Sequence, residues 1–132
     1  MAQTENDQLH VELVAADRTV WSGEATMVIA RTMEGDIGVL RNHTPVLSAL
    51  SAGVLTLDTV DGDKIVAAVA DGFISVANNR VSILSEFTQL AGEIDLDEAR
   101  SELEAAESDE GAAAADRVAW AEARIRAAEH GA

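Results

Sequence analysis

The sequence predicts a β-sandwich or barrel of short strands followed by an antiparallel two-helix hairpin. Three observations carry that expectation. Up to Gly92, apolar and polar residues alternate in short runs, with turn residues about every 8–12 positions, the spacing of sandwiches and barrels. Beyond Gly92, Ala, Glu, Asp, Arg and Leu dominate, and apolar residues step by three and four, the period of a helix face. The charge shifts at the same place: residues 1–92 hold 12 acids and 5 bases, whereas residues 93–132 hold 12 acids and 4 bases in less than half the length. The expected division is therefore 1–92 for the sandwich and 93–132 for the helices.

Taken in order, Leu9, Val11 and Leu13 oppose His10 and Glu12 in a first strand to Ala15, and Asp17-Arg18 forms a turn. A second strand runs from Glu24 to Met33, with Ala25, Met27 and Ile29 opposing Thr26 and Val28. Val54 to Val60 is a third, closed into a hairpin by Asp61-Gly62-Asp63, because Asp-Gly tolerates the positive φ of tight turns. Lys64 to Ala70 returns, and Phe73 to Val76, Asn78-Asn79 and Val81 to Leu84 make another strand–turn–strand unit. In the second part, Leu96, Ala99, Leu103 and Ala106 line one helix face, with Asp95 as cap and Glu98 in a capping-box position. Glu107 to Gly111 breaks the period, with Gly111 suited to the turn, and Val118, Ala121, Ile125 and Ala128 line a second helix.

Composition excludes several functions. The net charge is −15 and the 9 Lys and Arg are scattered, so phosphate backbones and anionic lipid are poor partners. There are no cysteines, which removes disulfides and thiol chemistry. The polar, acidic stretch Met1 to Leu9 is not expected to be a signal peptide, and no apolar run reaches bilayer length, so direct membrane insertion is not expected.

The most specific segment is Gly35-Asp36-Ile37-Gly38-Val39-Leu40, followed by His43 and by Pro45, the single proline. It resembles the signature loop of the epsilon-subunit family of F-type ATP synthases (delta in mitochondrial naming), which reads Gly-acidic-apolar-Gly-apolar-apolar-x-x-His-x-Pro. The opening Leu9 to Val14 with Trp21-Ser22-Gly23 is similar to that family's first strand and turn. Asp71-Gly72-Phe73-Ile74-Ser75-Val76 resembles its Gly-Gly-Phe-x-x-Val strand, with Asp71 in place of the first glycine. The resemblance spans nearly the whole chain.

The resemblance implies a flattened sandwich of about ten short strands ahead of the two helices. It further implies a central-stalk rotor subunit of a proton-translocating ATP synthase, coupling c-ring rotation to the catalytic head through the gamma subunit. Such a subunit sits on the cytoplasmic face of the cell membrane, peripheral through the complex. The c-ring contact would comprise Glu34, Gly35, Asp36, Gly38, His43 and Pro45, with Asp36 facing the ring. The helices would meet the alpha and beta subunits and brake hydrolysis.

Residue by residue, plainer readings compete. Asp36 and the glycines suit a local turn. His43 has no second ligand at metal spacing and suits a loop histidine bonded to backbone. Asp97 and Arg100 fit a vestige of the family's ATP motif, Ile/Leu-Asp-x-x-Arg-Ala, but Ser101 replaces its alanine and the surroundings are acidic. The second helix lacks the family's basic excess, because Asp116, Glu122 and Glu129 offset Arg117, Arg124 and Arg126. Weak braking and weak or absent ATP binding are expected, with no cofactor, no metal and no catalytic set. The alternative from another class is a free-standing β-sandwich ligand-binding module with a helical tail. It would need an aromatic-lined pocket, and the chain has only 2 Trp, 2 Phe and no Tyr.

Overall fold

A computed structural model describes residues 8–131. The stretch 1–7, which carries most of the segment read for a signal peptide, and Ala132 lie outside the described residues. The strands are β1 (Leu9–Ala15), β2 (Thr19–Thr32), β3 (Gly35–Val39), β4 (Val46–Leu50), β5 (Gly53–Thr59), β6 (Lys64–Ala77) and β7 (Arg80–Leu90). A 3-10 turn (Ala91–Glu93) leads to the helices α1 (Leu96–Glu107) and α2 (Ala114–Gly131).

Seven strands make two layers because β2, β6 and β7 are long enough to serve both. One layer holds β3, the second half of β2, β5, the first half of β6 and the end of β7. The other holds β4, the second half of β6, the start of β7, β1 and the first half of β2. Counted by layer, the 7 strands give the ten segments that the resemblance implies. Leu9, Val11, Leu13, Leu55, Leu57, Ile74 and Ile83 fill the space between the layers.

The passage of β6 and β7 between layers is built at Asp71 and Gly72. Asp71 has φ 58°, a left-handed conformation that glycine adopts freely and aspartate tolerates. This explains why the similar family pattern has glycine there. Gly72 has no room for a side chain, since a Cβ would lie 1.7 Å from the Leu84 carbonyl oxygen. The ladder skips the Asp71–Glu86 pair, and the buried Ser85 hydroxyl repairs the gap. It accepts from the Ala70 N–H at 3.0 Å and donates to the Ala70 or Phe87 carbonyl at 2.8 and 2.7 Å. The bend exchanges the faces of β6. Before it, Ala67 and Val69 point to the core and Val66 and Ala68 point out; after it, Ile74 and Val76 point in and Phe73 points out.

Outside the first layer, α2 packs on β5 and β6, and α1 packs on α2. Val66 and Ala68 meet Ala123 and Ala127, with Val54, Ile94 and Trp120 around them. The helical hairpin is thus folded back against the sandwich. Gly131 lies so close to Ala91 that an added Cβ would approach its Cβ at 2.3 Å.

Several sequence expectations are corrected. Ala25, Met27 and Ile29 do not share a face. A bulge between Ala25 and Met27 resets the alternation, so Ala25, Val28 and Ala30 are buried and Ile29 is exposed. Lys64–Ala70 and Phe73–Val76 are one bent strand, not two. Gly35–Val39, read as loop, is strand β3. Gly111 lies in the turn between the helices, as the sequence suggests; there Asp109 Oδ1 accepts from the Gly111 N–H at 2.9 Å and Asp109 Oδ2 holds Arg117 at 2.8 Å.

The bend sets a stability test. Ser85→Ala strands the Ala70 N–H and should cost about 2 kcal/mol. Gly72→Ala should cost ~3 kcal/mol or more, because backbone must move. Asp71→Gly should gain up to ~1 kcal/mol. Urea denaturation of the three variants checks the order, and a neutral Gly72→Ala would refute the account of the bend.

Candidate functional site

Among the described strands, β3 alone pairs on one side only, with β2. It is the open edge of the sandwich, and the signature segment lies along it. The turn into it is made by Thr32, whose Oγ1 donates to the Gly35 carbonyl at 2.7 Å and accepts from the Glu34 N–H at 3.1 Å. Gly35 has φ 120°, so this glycine is required by its own backbone. Asp36 sits opposite Arg31 across the β2–β3 ladder, and their side chains are 3.8 Å apart. Both are exposed, so this pair adds little stability. Ser48 Oγ donates to Glu34 Oε1 at 3.5 Å.

Gly38 is different. Its backbone has no positive φ, and a Cβ there would meet nothing within 4 Å. Nothing among the described residues asks for glycine at this place. A glycine inside a strand weakens it and often marks close approach of another backbone.

His43 and Pro45 lie beyond the far end of β3, past Val39. The structure therefore spreads the candidate residues along an edge: Glu34, Gly35 and Asp36 at one end, Gly38 between, His43 and Pro45 at the other. The His43 Nδ1–H donates to the Thr44 carbonyl at 2.6 Å, and the His43 N–H to the Leu40 carbonyl at 3.1 Å, which is the backbone-bonded loop histidine of the plainer reading. The sequence did not disclose its neighbour. Asn79, in the β6–β7 turn, clamps the loop: its Oδ1 accepts from the Asn42 N–H at 2.5 Å. Asn42, Asn78 and Asn79 all take positive φ, and with His43 and Pro45 they line a polar recess of about 380 Å³. Three asparagines near left-handed turns were the available signal.

The second candidate pair, Asp97 and Arg100, lies in α1. Asp95 caps that helix by accepting from the Glu98 N–H at 3.1 Å. Asp97 is exposed in the first turn, and Arg100 reaches across to Glu129 of α2 at 3.7 Å. The arginine that matters most to the hairpin is Arg124, which the sequence reading counted only as a charge offset by the acids of its own helix. It is 4% exposed. Its Nε donates to Gln89 Oε1 of β7 at 2.8 Å, one terminal nitrogen donates to Glu102, and the other lies 3.6 Å from Glu98. One guanidinium thus joins α2, α1 and the sheet, using the planar fork that lysine lacks. The sequence face Val118, Ala121, Ile125 and Ala128 is one of two; Trp120, Ala123 and Ala127 form a second stripe toward the sheet. Trp120 also stacks obliquely on Phe87 with ring centres 5.7 Å apart, beside a groove of about 490 Å³ lined by Met33, Leu50, Asp116 and Arg117.

No helix among the described residues is long and apolar enough to cross a membrane, and these residues contain no cluster of three or more metal-ligating side chains.

The sequence model of the ATP synthase Delta/Epsilon chain β-sandwich domain matches residues 8–91. The ATP synthase epsilon chain of Streptomyces avermitilis is 59% identical over 92 residues, spanning 70% of this chain and 74% of the relative. That of Corynebacterium glutamicum is 44% identical over 95 residues, spanning 71% and 77%. Among solved structures, a chain of the Euglena gracilis mitochondrial ATP synthase superposes with a TM-score of 0.77 at 23% identity, over 95% of this chain and 81% of that one. A chain from the central stalk and c-ring of the Tetrahymena thermophila enzyme gives 0.56 at 15% identity, over 93% and 95%. At these identities the structures speak to the fold. The matched family domain ends before the helices.

Arg124→Ala should free α1 and α2 from the sheet. Because Glu98 and Glu102 are half exposed, the loss should be about 2 kcal/mol, below that of a fully buried pair. Hydrogen exchange should quicken in both helices and stay unchanged in β1 and β5. Uniform quickening across the chain would show that Arg124 is not a local clasp.

Proposed function

This chain belongs to the delta/epsilon chain family of ATP synthases, and on that premise we propose that it is a non-catalytic rotor subunit of the central stalk. It couples rotation of the c-ring to the catalytic head through the gamma subunit. In this reading it lies at the cytoplasmic face of the cell membrane, held there by the complex. Residues 1–92, which carry the sandwich, are its coupling domain and residues 93–132 are a regulatory appendage.

The observation that carries the reading is the open edge. Gly38 offers a bare, extended backbone that packing among the described residues does not require, on a strand whose other side is unpaired among them. Asp36 stands two residues away and exposed. A loop of the c-ring approaching this edge finds free backbone groups and a carboxylate for a basic or amide side chain. The contact is then a line from Glu34, Gly35 and Asp36 through Gly38 to His43 and Pro45, with Asn79 holding the His43 end in place.

The helices regulate weakly. Arg100 and Arg124, the cations best placed for a nucleotide between the helices, are engaged by Glu129 and by Glu98 and Glu102. A triphosphate would have to displace those carboxylates and then face the acids around them. Calorimetric titration of the chain with ATP should give a dissociation constant above ~1 mM. Micromolar binding would overturn this view of the helices.

The edge is tested in reconstituted membranes. Gly38→Val should leave the isolated chain at least as stable, gaining about 0.5–1 kcal/mol, yet lower ATP-driven proton pumping per ATP hydrolysed. Asp36→Ala and His43→Ala should lower it too, with the fold intact. Unchanged pumping in all three would remove the edge from the coupling path.

A further inference from the structure

At its start, α2 does not close against the sandwich. The alanine seam runs through Ala123 and Ala127. Nearer the first turns of the helix a gap remains, the groove of about 490 Å³ beside Trp120. Its walls come from two bodies. Met33, Leu50 and Phe87 belong to the sandwich, and Asp116, Arg117 and Trp120 belong to α2. Of the 2 Trp and 2 Phe in the chain, one of each meets here, with the ring planes 44° from parallel. Met33 is 70% exposed and Phe87 44%, so this apolar lining is open to a ligand.

The groove has the dimensions of a small-molecule site, for which about 300–1,000 Å³ with aromatic walls and a few orienting polar groups is typical. Its available charge is of one sign. Arg117 is held by Asp109 at 2.8 Å. Asp71 and Asp116 also line the groove, and neither has an ion-pair partner among the described residues. Asp71 comes from the sandwich and Asp116 from the helix, so the two acids face the gap from opposite walls. The backbone at Asp71 would suit glycine better, with φ 58°, so the bend does not account for this carboxylate. A cation in the groove gains from both acids and from the electron-rich face of Trp120. An anion meets the reverse, and a neutral molecule gains from area alone.

We propose that this groove binds a lipophilic ammonium, a small molecule with an aromatic or branched apolar body and a protonated amine. The body lies between Met33, Leu50 and the Trp120–Phe87 pair, and the amine reaches Asp71 and Asp116. One wall is α2 and the other is the sandwich, so the whole site exists only while the hairpin is folded back. Occupancy therefore holds α2 in place, because a ligand favours the state that binds it. The groove lies at the start of α2, whereas Arg100 pairs with Glu129 near its end, so the two places are separate. The proposal needs only this chain and stands apart from the rotor reading.

The test is calorimetric titration of the full chain with 4-phenylbutylammonium, beside its neutral and anionic analogues 4-phenylbutanol and 4-phenylbutanoate. The ammonium should bind at least tenfold more tightly than the alcohol, and the carboxylate more weakly than either. Asp71→Asn and Asp116→Asn should each weaken the ammonium at least threefold and leave the alcohol unchanged; asparagine tolerates the backbone at position 71. Glu122→Gln, exposed on α2 and outside the groove, should bind as the unaltered chain does. Saturating ammonium should slow hydrogen exchange in α2 at least threefold and leave β1 unchanged. No binding, equal binding of ammonium and alcohol, or full binding by both aspartate variants would overturn the site. So would an equal loss in Glu122→Gln, which would show that only the overall charge counts. Tighter binding of a lysine-containing apolar peptide than of the ammonium would give the groove to a protein segment and overturn the proposal. A chain that is dimeric until Met33→Glu makes it monomeric would give it to a second copy, with the same result.

Discussion

The close approach of Gly72 to the Leu84 carbonyl governs most of what this molecule presents outward. Only a residue without a side chain lets β6 lie so near β7 at the point where both pass from one layer to the other. The skipped backbone pair at Asp71 and Glu86 would leave polar groups buried and unpaired, and the Ser85 hydroxyl takes them up. Because the bend exchanges the two faces of β6, one strand supplies two unlike surfaces. Its first half offers Val66 and Ala68 as a seat for α2. Its second half offers Phe73 to solvent. A straight β6 would turn one of these sets into the core and spoil both.

The seat for the helices is small by design of its side chains. Ala123 and Ala127 bring α2 close to the sheet, but alanine buries little area, and area sets the gain at about 25 cal/mol per Å². Trp120 and Ile94 add larger pieces at the margin. Under such a thin seam, the polar clasp at Arg124 carries weight out of proportion. Its desolvation is offset by Gln89 and the two glutamates, and these partners come from two different elements. A seam of small residues closed by one guanidinium is held in place without being built in.

What the sequence disclosed follows from how local each signal is. Gly62 with its positive φ, the Asn78-Asn79 turn and the Asp95 cap act within a few residues, and they stand where the sequence reading put them. The alternation of β1 was readable for the same reason. The bulge at Thr26 was not, because one extra residue reverses every face beyond it and leaves no mark in composition. Strand β3 was hidden because its glycines carry no strand preference; pairing with β2 makes it a strand. Arg124 was counted only in the charge balance of its helix, and its burial, unusual for arginine, depends on Gln89, 35 residues away. The candidate site was legible as a motif and not as a shape: nothing in the order Gly35 to Pro45 shows that its ends lie at opposite ends of an edge strand, or that Asn79 braces one of them.

The strand pairings bear on how such a molecule could carry load. β1 pairs with β7, β7 with β6, β6 with β5, β5 with β2, and β2 with β1 again, so the hydrogen-bonded ladder closes on itself. A closed ladder has no edge along which the layers can slide, and its shape changes only if backbone bonds break. On the reading proposed above, the ring contact on β3 attaches to this circuit directly through β2. The helices do not belong to it; they touch it through side chains alone. The same chain can therefore be stiff in its sandwich and yielding in its appendage. The physical reason is that one part is joined by backbone ladders and the other by an alanine seam and a single arginine.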